Sequence, residues 1–214
     1  MANWAKRKST YAALQVEKLV KRVVDDHNAG NSDVNVTTRM YTMAIDAWAK
    51  AGGLLAAERA SEIHRGMVDA YRSTGDVNIR PSTISYNAVI NAWSKSGCDA
   101  EAAERAEGIL GDMLEEWRRE RKNVVRVKDD LRYEDIDEKR SDEDEDHCQE
   151  DDESMIVKPD VVSFTSVCDA WAKSGKKNGA AKAMQLLKQM EQLYVEEGQR
   201  GMKPNGTYPV RVID

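Results

Sequence analysis

The feature that most constrains this chain is an internal repeat that recurs three times within 214 residues. The copies are Met40–Gly53, Ser85–Cys98 and Ser163–Lys176, and their aromatic, tryptophan and glycine positions recur at spacings of 45 and 78 residues. A partial copy at Trp4–Lys6 precedes the first full copy at an offset of 44 residues. Sequence similarity at such a period predicts an array of stacked supersecondary units.

Each copy has the apolar periodicity of two helices. Apolar residues at i, i+4 and i+7 mark the first helix, as at Tyr41, Ile45 and Trp48, and a second stripe of the same type follows it. We expect helices at about 39–51, 54–74, 84–96, 100–122, 162–174 and 179–197, after an incomplete pair over 1–28. A single helix pair cannot bury both of its faces, so the pairs must stack on one another. The expected fold is all-α, a right-handed α-solenoid of stacked helix-turn-helix repeats.

The repeats divide the whole chain. They predict a partial repeat at 1–37, repeats at 38–82, 83–160 and 161–205, and the start of a further repeat at 206–214. Because both ends fall inside repeats, we expect this sequence to be a fragment of a longer array.

The second repeat is longer than the others by an acidic insertion at about 123–155. Residues 129–153 hold fifteen Asp or Glu and three Lys or Arg, a net charge of −12. Since the whole chain has a net charge of −6, the remaining residues carry +6. A segment with this much charge and few apolar residues is expected to be disordered.

Several classes of protein are excluded by composition and motifs. No apolar run is long enough to span a membrane, and three cysteines without CxxC spacing do not make a disulfide framework or a zinc site. No phosphate-binding glycine loop, nucleophile elbow or HExxH motif is present. We therefore expect no enzyme activity, cofactor, metal or small-molecule substrate.

The order of motifs resembles the pentatricopeptide repeat family. A helix with Tyr86-Asn87 near its start and a Lys-Ser-Gly end, a second Ala-rich helix, and then Lys158-Pro159-Asp160 are similar to that family's unit. Tetratricopeptide repeats share some of these signals and rank second. The resemblance implies an adaptor that binds single-stranded RNA sequence-selectively, in organellar RNA processing, stability or translation. It also implies a mitochondrial or plastid location, with other RNA-processing proteins as possible partners.

The resemblance also implies which side chains select bases, because the family reads one base per repeat with two or three side chains. The fifth residue and the last residue of each repeat form the pair, which here gives Thr42 with Ser82, Asn87 with Asp160, and Thr165 with Asn205. By the family's code, the second pair is similar to a uridine reader and the third to an adenosine reader, while the first is not a standard pair. The residues at position two, which sandwich the base in the family, are Arg39, Ile84 and Val162.

Spacing alone predicts a polar stripe along each first helix. Residues four apart share one face, and each stripe ends in a lysine, as in Thr42, Asp46 and Lys50. Lysines at these ends would neutralise phosphates along a groove; they are Lys6, Lys50, Lys95 and Lys173. The same lysines could instead serve only the helix dipole, and Ser82, Asp160 and Asn205 could be only helix caps.

Two other functions stay open at this point. One is a protein-binding solenoid of the tetratricopeptide type, whose groove holds a peptide. The other is the RNA-binding fragment of an enzyme whose catalytic module lies elsewhere.

Overall fold

The computed structural model describes residues 9–31, 33–97, 100–134 and 157–197. Within these ranges the backbone forms seven α-helices, one 3₁₀ turn at Val77–Ile79 and no strand. The helices are α1 Thr10–Asn28, α2 Thr38–Ala51, α3 Leu54–Thr74, α4 Thr83–Ser94, α5 Ala100–Glu134, α6 Val161–Lys173 and α7 Gly179–Glu197. The all-α class predicted from the repeats is confirmed.

Most helix boundaries lie where the periodicity predicts them. Helices α3 and α7 match the expected ranges, and the ends of α2, α4 and α6 lie within two residues of the expected ones. The starts of α4 and α6 are sharp because Ser82 and Asp160 each form a capping box with the serine three residues later. Helix α3 ends at Gly75, whose φ of 68° and ψ of 10° lie in the left-handed region that glycine adopts without strain.

Helix α5 corrects the prediction of a disordered insertion at about 123–155. The helix does not end near residue 122 but continues to Glu134, so residues 123–134 are helical. Low hydrophobicity argues against a packed core, but extending an existing helix needs no new nucleus. No proline or glycine interrupts 123–134 either. The rest of the predicted insertion, 135–156, lies outside the described residues, as do residues 1–8 and 198–214.

The helices pack in a repeated pattern. Each helix contacts the next along the chain, and in addition α2 packs on α4 and α4 packs on α6. The first helices of the three repeats therefore lie side by side, with the second helices α3, α5 and α7 behind them. One large core cluster runs through all seven helices, from Ala13 on α1 to Leu193 on α7.

The three repeated tryptophans belong to this core, as predicted. Trp48, Trp93 and Trp171 are only 3%, 5% and 2% exposed. Each indole N–H also donates a hydrogen bond to the second helix of the preceding repeat, at 2.7 to 2.9 Å; the acceptors are Glu17, Ser61 and Glu107. Each tryptophan therefore joins two successive repeats by both apolar packing and a hydrogen bond.

Threonines at the starts of the first helices hold neighbouring repeats in register. The Thr38 hydroxyl donates to the Arg80 carbonyl at 2.6 Å, and the Thr83 hydroxyl donates to the Lys158 carbonyl at 2.9 Å. In both cases the accepting residue directly precedes the proline that leads into the next first helix. These contacts bring the N-terminus of one first helix beside the entry of the next, where the predicted base readers lie.

Candidate nucleic-acid interface

Asn87 and Asp160 lie in direct contact although 73 residues separate them. The Asn87 Nδ2 atom donates to Asp160 Oδ1 at 3.1 Å, and the Ser163 hydroxyl donates to Asn87 Oδ1 at 2.7 Å. Asp160 reaches this position because it caps α6, where its Oδ1 accepts the Ser163 backbone N–H at 2.9 Å. The cap role and the predicted reader role thus involve the same side chain.

The cluster retains unused hydrogen-bonding capacity. Asp160 Oδ2 and the second N–H of Asn87 make no hydrogen bond to any part of the chain that the structure describes. Both residues are half-buried, so the oxygen and the N–H are held in place by the bonds on their other side. An acceptor and a donor fixed side by side match the hydrogen-bonding edge of a base.

The other two predicted pairs are arranged differently. The Thr42 hydroxyl donates to the Thr38 carbonyl of its own helix at 2.8 Å, and Ser82 is the N-cap of α4. In the described ranges no hydrogen bond joins Thr42 to Ser82. The Thr165 hydroxyl likewise donates to the Val161 carbonyl at 2.7 Å, and its predicted partner Asn205 lies outside the described residues.

The predicted base-sandwiching residues are all exposed. Ile84 is 70% exposed, Val162 is 54% exposed, and Arg39 is exposed as well. Each lies three residues before the predicted reader of the same helix, so the two side chains share one face. Exposed aliphatic side chains and hydrogen-bonding side chains therefore occur together at the start of α4 and of α6.

The predicted lysines differ in their partners. Lys50 forms an ion pair with Asp46, and Lys173 forms one with Asp169 at 2.5 Å, in each case one turn back on the same helix. Lys95 has Asn91 at the corresponding position and, within the described chain, no ion pair. Lys6 lies outside the described residues. Exposed ion pairs contribute at most about 1 kcal/mol, so a phosphate can compete for Lys50 and Lys173.

Two contributions to this site were not predicted from the sequence. Ser163 connects Asn87 to the cap of α6. The sequence pattern that could have revealed it is a serine three residues after the N-cap, which recurs as Ser85 in the preceding repeat. The lysine–aspartate ion pairs are the second contribution. They could have been predicted, because the lysine and the aspartate of a polar stripe lie four residues apart and therefore share one face of the helix.

Comparisons with known proteins identify no relative. No family model, no curated protein and no solved structure matches this chain. In the described part of the chain, no helix is long and apolar enough to cross a bilayer. The same part contains no group of three or more His, Cys, Asp or Glu side chains that could hold a metal ion.

Proposed function

We propose that this protein is a right-handed α-solenoid that binds single-stranded RNA sequence-selectively, as an adaptor without catalytic activity of its own. The solenoid is supported by the side-by-side packing of α2, α4 and α6 and by the tryptophan hydrogen bonds that recur between repeats. RNA would lie along the starts of these first helices, where the polar and exposed aliphatic side chains occur.

The contact between Asn87 and Asp160 is the observation that carries the proposal. The resemblance to pentatricopeptide repeats implies that these two residues share one base, and their side chains meet at 3.1 Å. Uridine presents an N–H between two carbonyl oxygens on its Watson–Crick edge. Asp160 Oδ2 would accept that N–H, and the second N–H of Asn87 would donate to one of the carbonyls. Cytidine has an acceptor in place of the N–H, so it would face the Asp160 carboxylate unfavourably.

The exposed aliphatic residues supply the second part of recognition. Ile84 and Val162 stand at equivalent positions on two neighbouring first helices, so one base would lie between them beside the Asn87 cluster. Contact on both faces holds a base in place, while the hydrogen bonds select which base it is. The third repeat, with Thr165 and Asn205, would read adenosine at the next position, which gives a 5′-UA-3′ core.

Two further expectations rest only on the resemblance to pentatricopeptide repeat proteins. The protein would act in a mitochondrion or plastid, and other RNA-processing proteins would join it there. Fractionation of cells that express the full-length tagged protein tests this location.

Base preference at one repeat tests the proposed function. We expect the protein to bind short single-stranded RNAs that carry uridine at one position better than those that carry cytidine, by about 1–3 kcal/mol. Fluorescence anisotropy at low salt gives both dissociation constants. Asn87→Ala should abolish the difference, and Asn87→Thr combined with Asp160→Asn should shift the preference to adenosine.

Asn91→Ala is the matched control, since it removes the same side chain one turn later on α4. It should leave the ratio of the uridine and cytidine dissociation constants within about twofold, because Asn91 does not contact Asp160. If the unmodified protein shows no preference between the two bases, or if Asn87→Ala retains it, the proposed function is wrong.

A protein-binding solenoid is the second candidate, and the lysine pairs favour it. Lys50 and Lys173 are already neutralised by aspartates of their own helices, which lowers the positive potential available to RNA. Under this alternative, affinity for RNA would be weak at all sequences and the Asn87 cluster would bond to a peptide backbone. An RNA affinity that changes in neither Asn87→Ala nor Lys95→Ala would support this alternative.

A further inference from the structure

A cleft separates α3 from α5, the second helices of two successive repeats. Its volume is about 1010 Å³, and its floor is formed by three residues of α4: Tyr86, Val89 and Trp93. The α3 wall runs from Glu58 to Arg72. At 1.5 Å per helical residue this wall is about 21 Å long, the length of about six residues of extended chain.

The floor of the cleft lies on the opposite side of α4 from the candidate RNA interface. At about 100° per residue, Tyr86, Val89 and Trp93 share one face of α4, and Asn87, Asn91 and Lys95 share the opposite face. A ligand in the cleft would therefore leave the Asn87 cluster accessible.

The junctions on either side of this cleft are closed by a glutamate. Glu17 of α1 accepts the Trp48 indole N–H at 2.8 Å and also pairs with Arg59 of α3 at 3.2 Å. Glu107 of α5 makes the equivalent contacts, with the Trp171 indole at 2.9 Å and with Lys182 of α7 at 3.1 Å. In both cases one carboxylate ties two second helices together.

The middle junction lacks this carboxylate. Ser61 occupies the position of Glu17 and Glu107, and its hydroxyl accepts the Trp93 indole N–H at 2.7 Å. Arg105, which corresponds to Arg59 and Lys182, has its ion pair within its own helix instead, with Glu101 at 3.6 Å. No carboxylate therefore bridges α3 and α5 beside Trp93; the two helices are joined at the other end of the cleft, where Arg72 of α3 pairs with Glu116 of α5 at 3.2 Å.

His64 provides a separate indication that the cleft takes a ligand. Its ring is only 7% exposed, lines the cleft and packs edge-on against Tyr86 with 4.4 Å between the ring centroids. Its Nε2 atom has no hydrogen-bond partner in the described chain. An unpaired buried polar atom costs free energy, so a bound group that supplies the hydrogen bond would recover it.

The charge of the cleft indicates the chemistry of that ligand. Eight carboxylates and four guanidinium groups line it, and two of the guanidinium groups, Arg72 and Arg119, bind the same carboxylate, Glu116. Burial, and to a lesser extent the neighbouring Glu115, raises the pKa of the Asp112 carboxyl. A cation bound nearby would lower that pKa again. The net negative charge opposes RNA and favours a cationic ligand.

We propose that the cleft between α3 and α5 binds a basic peptide segment of a partner protein. Arginine or lysine side chains of that segment would contact the carboxylates of the two walls, and a backbone or polar side-chain group would hydrogen-bond His64 Nε2. The length of the cleft suits a short extended segment rather than a small cation. The proposal does not depend on RNA binding at the opposite face of α4.

A matched pair of glycines on α5 provides the test. A Cβ atom added at Gly108 or at Gly111 meets no atom within 4 Å, but only Gly108 lines the cleft. Both Gly108→Leu and Gly111→Leu should fold, because each replaces a helical glycine by a better helix former. The probe is a fluorescein-labelled nonapeptide of alternating arginine and alanine, measured by fluorescence anisotropy, with the glutamate–alanine version as its counterpart.

We expect Gly108→Leu to weaken binding of the arginine peptide at least tenfold and Gly111→Leu to change it less than twofold. Ser61→Glu should also weaken it at least tenfold while raising the midpoint of thermal unfolding, because the new carboxylate would bridge Trp93 and Arg105 as at the other junctions. The glutamate peptide should not bind.

Other outcomes would overturn the proposal. Binding that is equal in all three variants would place the peptide elsewhere, for example on the acidic residues 129–153. Loss of RNA affinity in Gly108→Leu, without loss of peptide affinity, would assign the cleft to nucleic acid instead. Equal affinity for spermine and the arginine peptide would reduce the site to one for small cations.

Discussion

Replacing His64 by phenylalanine should make the stability of this protein less sensitive to acid between pH 7 and pH 5. Burial lowers the pKa of the His64 imidazole from 6.5 to about 4. Phenylalanine keeps an aromatic ring against Tyr86 but does not titrate. The substitution therefore isolates the cost of protonating a buried ring.

The direction of the effect follows from which state binds the proton more tightly. In the unfolded chain His64 takes up a proton near pH 6.5, whereas in the folded protein it remains neutral until about pH 4. Between these values the unfolded state binds more protons, so the free energy of unfolding falls as the pH falls. The stability is fully present above pH 6.5 and is lost progressively towards pH 4.

The size of the effect follows from the same two values. At pH 5 the unfolded chain is protonated at this site and the folded chain is almost entirely neutral, which lowers the free energy of unfolding by about 2 kcal/mol relative to pH 7. Because the side chain is only 7% exposed, solvent screening reduces this value little. The carboxylates titrate in the same way in the unmodified protein and in His64→Phe, so their contribution to the free energy of unfolding cancels when the two proteins are compared.

Urea unfolding at the two pH values, followed by circular dichroism, measures this difference. The unmodified protein should lose about 2 kcal/mol more than His64→Phe when the pH falls from 7 to 5. Equal losses in the unmodified protein and in His64→Phe would refute the idea that His64 is held neutral by burial.

Three other predictions concern stability and binding. Glu17→Ala should lower the free energy of unfolding by about 1–3 kcal/mol in urea titrations, because the buried Trp48 N–H loses its acceptor; a loss below about 0.3 kcal/mol would contradict this. Gly75→Ala should lower it by about 1 kcal/mol, since alanine is strained at a φ of 68°. Lys95→Ala should reduce the salt dependence of RNA binding by about one unit of slope, and Lys50→Ala by less, because Lys50, unlike Lys95, is paired with an aspartate.

Part of the candidate interface was predictable because the repeats assign residues that are far apart in the sequence to defined positions in the stack. The pairing of Asn87 with Asp160, 73 residues apart, is implied by the resemblance to pentatricopeptide repeats, which assigns both to one base. The direct hydrogen bond between their side chains was not predicted and is seen only in the structure. The Thr42 and Ser82 pair shows where this reasoning ends, because the Thr42 hydroxyl bonds the Thr38 carbonyl of its own helix instead of meeting Ser82.

Local sequence patterns are enough to place most of the helices and the buried tryptophans. Apolar periodicity, capping residues and glycine act within one or two turns, so the ranges of α3 and α7 follow from nearby residues alone. Three features depend on how the helices pack instead: the burial of His64, the hydrogen bond from Ser163 to Asn87 and the cleft at Ser61. Each of these depends on how closely two helices from different repeats approach. That distance is set by side chains in contact across 30 or more residues, such as Trp93 with Ser61, which no local pattern encodes.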